Sequence, residues 1–95
     1  MTKSSKKYIS VWDALADTQA EAANLRTRAE LMRQIATVIR KNKWTQAVAA
    51  SRCGITQPRM NDLLRGRISY FSLDALVNIA TAIGQRVHLE LEAAE

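Results

Sequence analysis

The sequence predicts an all-α domain of five helices closed by one C-terminal β-strand. Three observations predict it. Apolar residues recur at intervals of three and four through 25–39 and again through 73–83, the period of a single helix face. Between these stretches lies Gln46–Arg65, QAVAASRCGITQPRMNDLLR, where Ala50, Gly54, Met60 and Leu63 have the spacing of two short helices crossing at a sharp turn. The end of the chain, Arg86–Glu92 or RVHLELE, changes to strict alternation, the period of a strand.

The 95 residues hold one domain, above the size at which disulfides or metals usually become necessary for folding. Residues 1–10, with Lys3, Lys6 and Lys7, are expected as a flexible basic N-terminal tail, and residues 11–95 as the domain. Val11, Trp12 and Leu15 fit one face of a short first helix. Thr18 and Glu21 have capping-box spacing, each side chain able to satisfy a free amide at a helix start, so a long second helix is expected from there. Its inward stripe is Leu25, Arg28 or Ala29, Met32, Ile35, Ala36 and Ile39, while Arg26, Arg33 and Arg40 lie seven apart on a face left to solvent or phosphate. Arg40, Lys41, Asn42 and Lys43 close it, where cations suit the negative helix terminus.

Thr45 caps a third helix over Gln46–Arg52, and Gly54 takes the backbone out of it at low steric cost. Thr56 caps a fourth, with Pro58 in its first turn, where a missing amide removes no hydrogen bond. Arg65, Gly66 and Arg67 end that helix. Ser72 caps the fifth, whose Leu73, Leu76, Val77, Ile79, Ala80 and Ile83 turn inward until Gly84. Trp44, Tyr70 and Phe71 are expected in the core, and His88 in solvent. In the strand, Val87, Leu89 and Leu91 share one side. A lone strand needs a partner for its backbone groups. Either Tyr8–Val11 or the same strand of a second chain can serve, and the second is favoured because two-fold dimers are the commonest oligomers.

Composition excludes several function classes. One cysteine and one histidine build neither an internal disulfide nor a metal site, and Cys53 beside Gly54 reads as a small buried hydrophobe. No catalytic constellation is visible, so neither an enzyme nor a cofactor is expected. No run approaches the roughly 18 apolar residues of a membrane span, and the basic start lacks the features of a secretory signal. A cytoplasmic protein is expected. The formal charge of +5 is unevenly placed. Residues 26–67 carry ten arginines and lysines against two acidic residues, a net +8, whereas residues 68–95 carry −3. Such asymmetry suits a surface that neutralises phosphates on one side.

The crossing helices give that surface a use. In a helix-turn-helix one helix braces another, so that the second can enter a major groove about 12 Å wide. Close crossing needs a small residue, Ala50; Ala49, Cys53, Ile55, Met60 and Leu63 supply the buried faces. With those turned inward, Gln57, Pro58, Arg59 and Asp62 remain at the exposed start and outer face of the second helix as candidates for base edges, with Thr56 at its cap. Arg59 can bond bidentately to guanine and Gln57 to adenine. Asp62 could accept from cytosine or orient Arg59 or Arg65. Gln46, at the first turn of the bracing helix, can reach a phosphate, and Asn61, Arg65 and Arg67 are the remaining backbone contacts.

The strings VWDALAD, EAANLRTRAELM, TQAVAASRCGITQPRMNDLLRGRISYFSLDALVNIATAIG and RVHLELE resemble the XRE, or lambda-repressor-like, helix-turn-helix family, within it the small HigA-type antitoxin branch that accompanies RelE/ParE/HigB-type toxins. The resemblance implies that the residues matching Gln46, Gln57, Pro58, Arg59 and Asp62 lie at the DNA face. It also implies a homodimer on double-stranded operator DNA, repression of its own promoter and a possible bound toxin. Pro58 departs from the pattern, standing where many relatives carry a polar base reader. The alternatives are a stand-alone regulator without a toxin, and a toxin neutraliser whose DNA binding is secondary; Val11, Trp12 and Leu15 could anchor such a partner or belong to the core of the chain itself.

Overall fold

The computed structural model describes the backbone of residues 3–93 and the side chains of residues 18–93. Four α-helices and one 3-10 turn follow in order: α1 Lys3–Lys41, α2 Gln46–Cys53, α3 Gln57–Leu64, the 3-10 turn Ile68–Tyr70, and α4 Leu73–Ala82. The expected first and second helices are one. Between Met1 and Gly54 the sequence has neither glycine nor proline, and alanine, leucine and glutamate around Thr18 favour continuation. A capping side chain starts a helix only where the preceding backbone leaves helical angles, and at Thr18 it does not. Thus α1 begins at Lys3, inside the segment expected as a tail. The expected face of Val11, Trp12 and Leu15 lies outside the residues whose side chains are described.

The second half of α1 is the spine of the domain. It packs on α4, on α3 and on the 3-10 turn, while α2 packs on α3 and α4. The core gathers Met32, Ile35, Ala36 and Ile39 of α1, Ala49, Ala50 and Cys53 of α2, Met60 and Leu63 of α3, Phe71, and Leu76, Ile79 and Ala80 of α4. Leu25, expected on the inward stripe, is 38% exposed. Trp44 is half-buried against the core, and Tyr70, expected inside, is 53% exposed.

All three later caps form as expected. The hydroxyls of Thr45, Thr56 and Ser72 accept from the amides of Val48, Arg59 and Ala75. Gly54 is left-handed at φ 72°, and Ile55 N–H returns to the Ala50 carbonyl at 3.0 Å, which closes α2. At the end of α1 the same left-handed position falls to Lys43, φ 58°.

The C-terminal strand is not formed: no strand occurs among the described residues, and residues 85–93 carry no regular structure. The alternation of RVHLELE is real, but Tyr8–Val11, its possible partner in the chain, is helical. Only Val87 of the alternating row packs on the core; Leu89 and Leu91 are exposed. Among the described residues the domain is therefore all-α, with four helices rather than five and without the closing strand.

Candidate nucleic-acid interface

The two short helices owe their crossing to missing side-chain volume. Ala49 and Ala50 are fully buried where α2 meets α3, and Met60 and Leu63 fill the space beneath. Cys53 is buried in the same layer, and burial pushes its thiol above the usual pKa. Gln57 and Pro58 consequently stand exposed in the first turn of α3. Thr56, also exposed, spends its hydroxyl on the Arg59 amide at 3.3 Å. The remaining expected contacts divide by partner. Gln46 Nε2 donates to Asn61 Oδ1 at 3.4 Å, a bond that joins the bracing helix to α3. Asp62 accepts from Arg67 Nη1 at 3.1 Å, and its carbonyl accepts the Arg67 amide at 3.0 Å. Asp62 thus orients Arg67, neither Arg59 nor Arg65. Arg65 is exposed at the end of α3 and lines a cleft shared with Arg40 of α1.

Arg59 is placed differently from the rest. Its guanidinium lies 4.4 Å from the centre of the Phe71 ring, and Nη1 donates to the Tyr70 carbonyl at 3.2 Å. A cation over a ring contributes about 0.5–2 kcal/mol and a hydrogen bond from a charged donor about 1.5–3, against about 1–3 for a bidentate guanine pair. Swinging out to a base would surrender contacts at least as large as the one gained.

A second arginine has the same task. Arg28 Nη1 donates to the carbonyls of Ile68 and Phe71 at 3.2 and 3.0 Å, and its Nε to Asn24 Oδ1 at 2.6 Å. The helical spacing allows either Arg28 or Ala29 on the inward stripe. A charge interrupting an apolar row was the available signal that it anchors something. Together the two arginines hold three main-chain carbonyls of the segment after α3. Elsewhere Arg52 lies over the Trp44 ring at 4.8 Å, and Arg33 Nε donates to Glu30 Oε1 at 3.1 Å. That pairing, with Gln34 donating to the same carboxylate, holds Glu30 down at a pKa of about 2.

A capped helix with a bare first turn, braced by a second across buried alanines and set in a strongly basic stretch, defines a helix-turn-helix protein of the DNA-binding class. The family model described as a helix-turn-helix domain matches residues 14–92, and the chain belongs to that family. No curated protein matches the chain. Among the described residues no helix is long and apolar enough to cross a membrane.

Proposed function

We infer that the chain is a sequence-specific regulator that lays α3 in the major groove of operator DNA and represses transcription as a two-fold dimer. The observation that carries this reading is the exposed Gln57–Pro58 turn at the head of a rigidly braced α3, within a stretch of net +8. Gln57 and Pro58 face base edges. Gln46, Asn61, Arg65 and Arg67 contact the phosphates on either side, with Thr56 fixing the start of the helix and Asp62 aiming Arg67. Selection of bound sequences from random DNA, at stated salt, tests the reading; a protein that enriches no sequence sinks it.

Within that function the chain serves as the antitoxin of a type II toxin–antitoxin pair, in the HigA-like branch, repressing its own operon. Support comes from the resemblance of its strings to that branch of the XRE family. Co-expression with the adjacent reading frame is the check. A small basic RelE-like product that co-purifies with the chain and whose growth arrest it relieves establishes the pair. A neighbour with neither property leaves a stand-alone regulator.

A further inference from the structure

We propose that Arg59 is a positioning residue of the recognition helix and that the first turn of α3 reads an A·T-containing step through Gln57 and Pro58, with no guanine contact from this turn. The assignment rests on the DNA-reading function proposed above and names its specificity. Arginine is the usual reader of guanine, and Arg59 is the only cation within α3, Gln57–Leu64. Its guanidinium is committed elsewhere, stacked at 4.4 Å on Phe71 and bonded to the Tyr70 carbonyl. Phe71 is a core residue, 1% exposed, so the ring is a fixed platform. The Tyr70 carbonyl is equally fixed, because Arg28 of α1 grips the carbonyls of Ile68 and Phe71 on either side of it.

The guanidinium therefore ties the middle of α3 to a segment itself tied to α1. The pair Asp62–Arg67 makes a second tie one turn further along. Two attachments on one side of a short helix set its rotation about its own axis. That rotation decides which residues of the first turn meet the groove floor. Those left are Gln57, whose amide matches the N6 and N7 edge of adenine, and Pro58, an apolar surface suited to a thymine methyl. A guanine in the half-site would have to be read by a residue outside the first turn.

Random-sequence selection with the full chain, its Arg59→Ala and Arg59→Lys variants and Gln57→Ala, each checked by thermal melting, decides the matter. The wild type should enrich an adenine next to a thymine. Gln57→Ala should lose the adenine alone. Arg59→Ala should keep the same bases but lower the operator-to-random ratio about three- to tenfold, the scale of coupling between residues in contact. Arg59→Lys, which keeps a cation over the ring, should restore part of that ratio. A merely structural arginine would lower the melting temperature and leave the ratio unchanged, which overturns the proposal. Loss of a guanine from the Arg59→Ala consensus overturns it as well. If even the wild type enriches nothing, the failure lies with DNA reading itself, and the assignment falls with it.

Discussion

The pair Asp62–Arg67 shows why a charge at an interface cannot be judged alone. Asp62 would repel a nearby phosphate, yet its carboxylate lies 3.1 Å from the Arg67 guanidinium and aims it. On the proposed reading Arg67 meets a phosphate; removing it would take that contact away and leave Asp62 uncompensated, so Arg67→Ala should weaken binding to all sequences alike. Adding Asp62→Asn should recover part of the loss. A double variant no better than Arg67→Ala, in filter binding at low salt, would mean that Asp62 faces no phosphate. Glu30 offers a test away from the interface. Its folded pKa of about 2 lies below the ordinary 4.5 because Arg33 and Gln34 donate to it. A depressed carboxylate contributes stability above its unfolded pKa and loses it as pH falls through the folded one. Thermal melts should therefore decline between pH 4.5 and about 2, and Glu30→Gln should flatten that limb. The effect will be small, because the pair is exposed to solvent. At this scale the sequence was legible where the chemistry is local. Thr45, Thr56 and Ser72 cap as their positions imply, since a cap bonds within three residues. The acceptors of Arg28 and Arg59 were not legible, because they are main-chain carbonyls 40, 43 and 11 residues away, and a carbonyl has no signature in a sequence.

Elements end where the backbone must change hand, and α1 and α2 solve this with different residues. After α2 the left-handed position is Gly54, φ 72°, where an added Cβ would meet nothing within 4 Å. Its glycine is required by backbone conformation alone. Gly54→Ala should therefore cost about 1 kcal/mol through the left-handed penalty, with no packing term. After α1 the position is held by Lys43, φ 58°, which bears that penalty already. Lys43→Gly should then raise stability by a few tenths to about 1 kcal/mol, offset in part by the greater freedom of glycine in the unfolded chain. Urea melts of the two variants moving in opposite directions confirm the shared cause; a destabilising Lys43→Gly would show that the lysine side chain contributes more than the strain costs. The same physics explains what sequence periodicity missed. It located the inward face of α1 from Met32 to Ile39 correctly, since a face is a repeating property. The start of that helix depends on the absence of a breaker, and a capping signal at Thr18 outweighed by helix formers looks the same on paper as one that works. The strand failed for the complementary reason. Alternation describes two faces of a chain, but a strand exists only with a second strand, and RVHLELE has none among the described residues.

For the molecule as a whole, the distribution of charge matters more than its total. Several arginines between residues 26 and 67 are held by neutral groups: Arg28 and Arg59 by carbonyls, Arg52 and Arg59 by aromatic rings. Neutral partners fix a guanidinium without cancelling its charge, so these three arginines are held in place while their charge still adds to the field of the basic stretch. Binding should then fall steeply with salt, log K against log salt having a slope of about −0.9 for each phosphate neutralised. A dimer doubles that number on a palindrome, provided both copies of α3 reach successive major grooves about 34 Å apart. Spacing separates this arrangement from two independent copies. Inserting about 5 base pairs between the half-sites turns one of them to the opposite face of the duplex, and about 10 base pairs returns it. With a rigid dimer, the shorter insertion should reduce both affinity and salt slope to those of an isolated half-site, and the longer one should restore much of each. Unchanged affinity across both insertions would mean that the copies bind without touching, and light scattering of the free protein would then report a monomer.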